Sequence, residues 1–131
     1  MSITRAYAGQ VAAYGQALHK TTCETLTTSK PLTAGLFVAY AERGVKELTG
    51  PGDKVAGVIV RNVINDEFKT GEPVDVMQIG AGDAIWVIVK EEETLARGDL
   101  VSPDVTGVKK DEAGKYSVIE VADGLAKITK A

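Results

Sequence analysis

The sequence contains a single cysteine, Cys23, and a single histidine, His19. One cysteine cannot form a disulfide within the chain, so we interpret Cys23 as a free thiol, with an intermolecular disulfide as the alternative. One histidine is a poor basis for a metal site, which usually needs several His, Cys or carboxylate ligands. No third group is identifiable that would orient a catalytic pair of His19 and Cys23. The sequence therefore predicts no catalytic residue, no metal site and no cofactor.

Aromatic residues and long apolar runs are also scarce. Only 5% of the 131 residues are aromatic, so the core must rest on Val, Ile, Leu and Ala. No apolar run approaches the roughly 20 residues of a membrane helix, and we expect no membrane partner. The net charge is −3, and residues 53–93 hold nine acidic against four basic residues. Because phosphate binding requires clustered Lys and Arg, we expect no direct contact with nucleic acid.

One glycine-rich stretch, at residues 80–85, superficially fits a dinucleotide-binding fingerprint. The third glycine of that fingerprint is missing, and a predicted strand follows where the phosphate-binding helix should begin. Aspartates beside turns, such as Asp53 and Asp83, lack the alternating ligand spacing of a calcium loop. The chain therefore indicates a binding or structural module rather than an enzyme.

What the chain does have is a regular alternation of turn residues and β-branched runs. A glycine stands at or near the start of each of four such segments, at residues 57–61, 70–76, 82–89 and 96–101. Each run suits a half-buried strand, and the glycines suit tight turns, with Gly57 predicted at a bulge or at a point of close approach. This pattern predicts one mainly β domain of about eight short strands, folded as a compact antiparallel β-barrel or β-sandwich.

Finer expectations concern individual segments and the core. Residues 45–48 are expected to pair back as a hairpin, residues 65–71 to form a polar loop around Phe68, and Pro103 to stop a strand that begins at Leu100. Trp86 is predicted to pack in the core or at an interface. The predicted core residues are Phe37, Val58, Val60, Val76, Ile85, Val87, Val89, Leu100, Ile119 and Val121.

Residues 1–20 differ in composition from the rest and are predicted to form an extended or partly helical arm, with the β body at residues 21–131. Tyr7, Val11, Tyr14 and Leu18 have the spacing of one helical face, although Gly9 and Gly15 weaken a helix. The alternatives are a frayed terminus and an arm that orders on a partner. In the second case, the predicted partner-binding residues are Arg5, Tyr7, Val11, Tyr14 and Leu18.

Four segments in order resemble the capsid cement, or decoration, proteins of tailed bacteriophages. They are Val55-Ala56-Gly57-Val58-Ile59-Val60-Arg61, Gly71-Glu72-Pro73-Val74, Ile85-Trp86-Val87 and Arg97-Gly98-Asp99-Leu100-Val101. The ending Gly124-Leu125-Ala126-Lys127-Ile128 is similar too, so the resemblance covers about residues 33–129. Cys23 and the acidic run at residues 91–93 are not features of that family.

The resemblance implies a non-enzymatic protein on the outer capsid surface of the virion, made in the host cytoplasm. Its partner would be the major capsid protein, and the chain would form a homo-oligomer, either a dimer or a trimer. The arm would then order against a capsid subunit or a second copy. The alternatives are a small β-barrel carbohydrate-binding or tail-associated module, with Trp86 or Tyr40 as a stacking platform, and a minor subunit of an enzyme.

Overall fold

The computed structural model describes residues 7–13, 21–28, 30–50, 52–62 and 67–131. These residues contain thirteen β-strands and no helix, so none of them forms a helix able to cross a membrane. The strands are β1 (Val11–Ala13), β2 (Thr21–Thr25), β3 (Leu32–Thr33), β4 (Phe37–Tyr40), β5 (Val45–Glu47), β6 (Val55–Val60), β7 (Glu67–Phe68), β8 (Pro73–Met77), β9 (Ala84–Ile88), β10 (Leu100–Asp104), β11 (Gly107–Lys110), β12 (Tyr116–Ala122) and β13 (Leu125–Lys130).

The strands form three antiparallel sheets. Six strands follow the order β1-β9-β13-β12-β10-β11, five follow the order β2-β8-β6-β4-β5, and β3 pairs with β7. Both larger sheets curl. In the six-stranded sheet Val108 of β11 bridges back to Val89, and in the five-stranded sheet Leu26 bridges to Val45 of β5. The expectation of an antiparallel β-barrel or β-sandwich is thus confirmed as a sandwich of two curled sheets.

Two main apolar cores hold the sheets together. The shared core lies between the two large sheets and includes Phe37, Val58 and Met77 from the five-stranded sheet and Ile85, Val87, Val101, Val118 and Ile128 from the six-stranded sheet. The second core lies on the other face of the five-stranded sheet and contains Leu26, Leu32, Ala34, Val38, Val45, Ala56, Ile59, Phe68, Val74 and Val76. Because β8 places Val76 in one core and Met77 in the other, this sheet is covered on both faces.

Half of the predicted core residues are buried. Phe37, Val58, Val76, Ile85 and Val87 are buried, Val60, Val89, Leu100 and Ile119 are half-buried, and Val121 is 40% exposed. Placing Val121 in the core was wrong, because it lies near the end of β12, two residues before the turn at residues 123 and 124, and stays exposed there. Ile119 is the extra residue of a bulge in β12, and Val118 takes the core position instead. Such a bulge interrupts the alternation on which strand faces are predicted.

Two segment predictions also need correction. Pro103 does not stop β10, which continues to Asp104 by pairing with β11. At Pro103 the opposite side of β10 has no partner among the described residues, and such an edge tolerates proline. Phe68 does not lie in a loop but in β7, where it is buried in the second core. The hairpin of β4 and β5 and the bulge at Gly57 are confirmed.

Candidate functional site

Residues 7–10 lie along the edge of the six-stranded sheet beside β9, where the Gly9 N–H donates to the Trp86 carbonyl and the Trp86 N–H donates to the Gln10 carbonyl. Residues 7–9 form a turn in which the Gln10 N–H donates to the Tyr7 carbonyl at 3.0 Å. The ring of Tyr7 meets the ring of Trp86 edge-on, with 5.0 Å between the centroids and 78° between the planes. Trp86 lies on β9 between two core residues, so its side chain points away from the shared core. Tyr7 and Trp86 therefore form an aromatic pair on the surface.

Two charged side chains extend this pair across the sheet. Lys127 on β13 is opposite Trp86 on β9 and also opposite Glu120 on β12. Its Nζ lies 5.6 Å from the centroid of the Trp86 ring and 3.2 Å from Glu120 Oε1. We call Tyr7, Trp86, Lys127 and Glu120 the outer row. It presents an aromatic pair beside an ion pair on a half-exposed strip, and tyrosine and tryptophan are residue types enriched at protein interfaces.

Gly9 fixes the N-terminal segment between the two sheets. Its N–H donates to the Trp86 carbonyl at 2.8 Å, and its carbonyl accepts the Arg61 N–H at 3.1 Å. Its φ is +75°, and a Cβ at this position would lie 2.7 Å from both Ala34 Cβ and the Ile59 carbonyl oxygen. Only glycine combines this backbone conformation with this close approach. The position of Tyr7 on the outer row therefore depends on Gly9.

Only part of the predicted arm lies within the described residues. Val11 is in β1, opposite Ile85, and packs against the shared core, so the described part of the arm is extended rather than helical. Tyr7 and Val11 therefore do not share a helical face. Arg5, Tyr14 and Leu18 lie outside the described residues. The division of the chain at residue 20 and the partner-binding role of these five residues stay predictions.

Lys127 and Glu120 could not be singled out from the sequence. Each is a common surface residue, and nothing in its local sequence marks it as part of a site. They join the outer row only because the register of β12, β13 and β9 aligns them with Trp86. The run of alternating residues in β13 was the only available signal, and it gives the face of a strand but not its neighbours.

A cleft of about 310 Å³ between residues 48–55 and the β10–β11 hairpin contains three aspartates. Each one is engaged by its surroundings. Backbone N–H groups of Thr49 and Gly50 lower the pKa of Asp53, and hydrogen bonds from Ser102 and the Ala113 N–H lower the pKa of Asp111. Asp104 lies 2.9 Å from Lys90 Nζ, and the hydrogen bond from Lys90 lowers its pKa. These carboxylates thus brace turns and strands.

Acid should weaken this bracing. Asp104 has a folded-state pKa below its ordinary value of 3.8, so its contribution to stability is complete above pH 3.8 and is lost as the pH falls through the lower value. We expect the urea midpoint to fall as the pH is lowered below about 4. Asp104→Asn should lower the midpoint at neutral pH and flatten its decline in acid, whereas Asp75→Asn, at an exposed site on β8, should leave the midpoint at neutral pH unchanged. An identical acid profile for Asp104→Asn would contradict this assignment.

Metal binding and sugar binding find little support among the described residues. Among the described residues, no three His, Cys, Asp or Glu side chains are grouped to hold a metal ion. His19 lies outside them, and Cys23 is exposed on β2. Trp86 contacts Tyr7 and Lys127, which reduces the ring surface available for a sugar. Tyr40 is 48% exposed, and its hydroxyl accepts a hydrogen bond from Gln78 at 2.8 Å.

Comparisons with solved structures agree with the fold. A chain in the capsid of Myoviridae phage XM1 superposes with a TM-score of 0.70 at 14% identity, over 93% of this chain and 88% of that chain. The head fiber gp8.5 N base of bacteriophage phi29 superposes with a TM-score of 0.56 at 13% identity, over 85% of this chain and 94% of that chain. No curated protein matches the chain.

The sequence itself carries the assignment, because the structural likenesses are too distant in sequence to show more than the fold. The family model of the XM1 gp53 minor capsid protein matches residues 1–131, the whole length of the chain. The resemblance to capsid proteins seen in the sequence is thereby confirmed, and the chain is associated with the capsid of the virion. The protein belongs to the XM1 gp53 minor capsid protein family, and its role is a structural one in the phage capsid.

Proposed function

We propose that this minor capsid protein is a cement protein. It binds the outer surface of the assembled shell between major capsid subunits and stabilises the shell, without enzymatic activity and without a cofactor. The observation that carries this proposal is the family match over all 131 residues. The partners are the major capsid protein and other copies of the chain, in a dimer or a trimer.

The physical character of the chain supports this proposal. Two apolar cores in a chain of 13.8 kDa give a well-packed body with many strands. A rigid body loses little conformational entropy on binding, which favours association. A shell offers the same site many times, and an oligomer that engages several sites at once gains affinity through effective concentration. Modest contacts of each copy are then sufficient to hold the shell together.

The proposed contact surface joins the outer row to the N-terminal residues. Arg5, Tyr7, Val11, Tyr14 and Leu18 are the residues predicted from the sequence to bind a partner, and Tyr7 is also part of the outer row. Val11 is partly used by the chain's own core, so Tyr7 is the better probe of the two. Tyrosine is among the residues that most often dominate the energy of an interface.

Loading onto empty shells tests the proposal. The purified protein should sediment with expanded empty shells at a fixed stoichiometry and raise the temperature at which the shells break. Tyr7→Ala should raise the dissociation constant by about tenfold or more, because loss of an interface anchor typically costs more than 1 kcal/mol. Tyr40→Ala is the matched control, since Tyr40 is an exposed tyrosine on the five-stranded sheet.

Failure of the wild-type protein to sediment with shells would contradict the cement function. Equal losses for Tyr7→Ala and Tyr40→Ala would leave the function intact and contradict the contact surface. A reconstruction of decorated shells would then show which residues face the major capsid subunits.

A second candidate function is the base of a head fibre. The observation that favours it is the likeness in fold to the phi29 head fiber base, over 94% of that chain. A fibre base anchors a projecting structure and need not bridge shell subunits. The two candidates differ in their effect on empty shells, because only a cement protein is expected to raise the temperature of shell disruption.

A further inference from the structure

The cleft between residues 48–55 and the β10–β11 hairpin has apolar walls that are open to solvent. Leu48 and Val55 line the wall on the side of the five-stranded sheet, and Pro103 and Val105 line the wall on the side of the six-stranded sheet. Val55 is 37% exposed and is one of three large apolar side chains found exposed among the described residues. An occupant of the cleft would therefore remove apolar surface from water.

Two carboxylates of the cleft are held in place by uncharged donors. Asp53 Oδ2 accepts a hydrogen bond from the Gly50 N–H at 3.1 Å. Asp111 accepts hydrogen bonds from the Ser102 hydroxyl at 2.7 Å and from the Ala113 N–H at 2.9 Å. These bonds fix the positions of both carboxylates but bring no positive charge to them.

The charge of the cleft is negative on balance. Its described lining contains three aspartates and a single basic residue, Lys109. Lys90 forms an ion pair with Asp104 at 2.9 Å, whereas none of the ion pairs found among the described residues includes Asp53 or Asp111. Their hydrogen bonds lower the pKa of both carboxyl groups, so both are ionised at neutral pH. A positively charged group that enters the cleft thus meets carboxylates already in position, which lowers the cost of binding.

We propose that this cleft is a second shell contact and receives a lysine or arginine side chain, flanked by an apolar residue, from a major capsid subunit. The basic group pairs with Asp53 and Asp111, and its apolar neighbour covers Val55. This inference rests on the proposed cement function, because a protein that joins two subunits needs two contact surfaces. The cleft shares no residue with the outer row, so the two surfaces can be occupied together.

The size and lining of the cleft favour protein side chains over a free small molecule. Its volume of about 310 Å³ is at the lower end of the range for small-ligand pockets, about 300–1,000 Å³. Such pockets are lined mainly by apolar and aromatic side chains, and none of the described residues that line this cleft is aromatic. Apolar surface with polar groups around it is instead the usual arrangement of a contact between proteins.

Val55→Arg tests the contact by placing a basic side chain of the chain itself in the cleft. It should raise the dissociation constant for empty shells at least about tenfold, because the cleft is then filled and its carboxylates are paired. Val121→Arg is the matched control, since Val121 is 40% exposed on β12 and is opposite the buried Ala126 rather than on the face of the outer row. The control should load like the wild type, and thermal melts of the free proteins should show that both variants fold.

A second pair of variants tests the charge without filling the cleft. Asp53→Asn combined with Asp111→Asn keeps oxygen acceptors for the N–H groups but removes two negative charges. We expect the dissociation constant to rise about threefold or more and its dependence on salt to weaken. Glu42→Gln combined with Asp75→Asn changes the net charge equally at exposed positions and should keep the salt dependence of the wild type.

A photo-cross-linking residue identifies the occupant on loaded shells. p-Benzoylphenylalanine in place of Lys109, an exposed residue of the cleft, should link to a peptide of the major capsid subunit that contains lysine or arginine. A link to a second copy of this chain, or to a capsid peptide without a basic residue, would overturn the proposed occupant.

The loading data separate this inference from the cement function on which it rests. If the wild type loads and Val55→Arg loads as tightly as Val121→Arg, the cleft is not a contact and the cement function stands. An unchanged salt dependence for the variant without the charges of Asp53 and Asp111 would also exclude the proposed ion pairs. If the wild type does not load, the cement function and the cleft contact are both wrong.

Discussion

Phe68→Ala is expected to lower the free energy of unfolding by about 3–5 kcal/mol, the range for removing a buried phenylalanine ring. Phe68 is 2% exposed and lies in the second core with Leu26, Leu32 and Ile59. It also anchors the two-stranded sheet, because β7 contributes only Glu67 and Phe68 and pairs with β3 at Leu32. Loss of the ring leaves a cavity and removes the main apolar contact of β7.

Urea unfolding followed by circular dichroism at fixed protein concentration measures this effect. Tyr40→Ala is the control, since Tyr40 is an aromatic residue of similar size that is 48% exposed, and it should change stability by less than about 1 kcal/mol. A loss below about 1 kcal/mol for Phe68→Ala would mean that β7 does not pack as described.

The misplacement of Phe68 shows where prediction from the sequence ends. The polar residues around it indicate a loop, and two residues are too few to show the alternation of a strand. β1 and β3 are similarly short, with three and two residues, which helps to explain why about eight strands were predicted and thirteen are found in the described residues. Longer runs such as β6, β8 and β9 were predicted well, because alternation and turn glycines mark them.

Strand faces were harder to predict than strand positions. Val101 rather than Leu100, and Val118 rather than Ile119, occupy the shared core. In both places neighbouring residues are apolar, so hydrophobicity does not choose between the two faces. The bulge at Ile119 adds one residue to β12, and no local sequence pattern predicts it. Two-sided burial of β8 adds to the difficulty, because a strand between two cores need not alternate.

The candidate site depends on register and on one close approach. The aromatic residues of the outer row could be singled out from the sequence, because Tyr7 and Trp86 are rare types in this chain. Their contact could not be predicted, since it arises from the turn at residues 7–9 and the docking of Gly9. From the sequence, Gly9 was expected only to weaken a helix. The structure shows that it joins the two sheets.

Gly9→Ala is expected to release the N-terminal segment from the body. Alanine at φ +75° costs about 1–2 kcal/mol for the left-handed backbone alone. Its Cβ would also overlap the Ile59 carbonyl and the Arg61 nitrogen, backbone atoms of the neighbouring strand that cannot turn aside. Such overlap adds about 1–3 kcal/mol. Both costs disappear if the segment around Gly9 leaves the body. Its departure breaks the hydrogen bonds to Trp86 and Arg61 and exposes Ala8.

Gly71→Ala separates the two causes, because Gly71 has a φ of +90° and a Cβ there would meet nothing within 4 Å. It should show only the backbone cost. Gly9→Ala should lose more stability, expose the amide of Trp86 to hydrogen exchange and change the emission of Trp86, the only tryptophan, as Tyr7 leaves its ring. If Gly9→Ala and Gly71→Ala lose the same stability and the emission of Trp86 is unchanged, Gly9 acts only as a turn glycine and does not hold the segment in place. If the emission changes as expected, reduced shell loading by Gly9→Ala but not by Gly71→Ala would then link the docked position of Tyr7 to capsid binding.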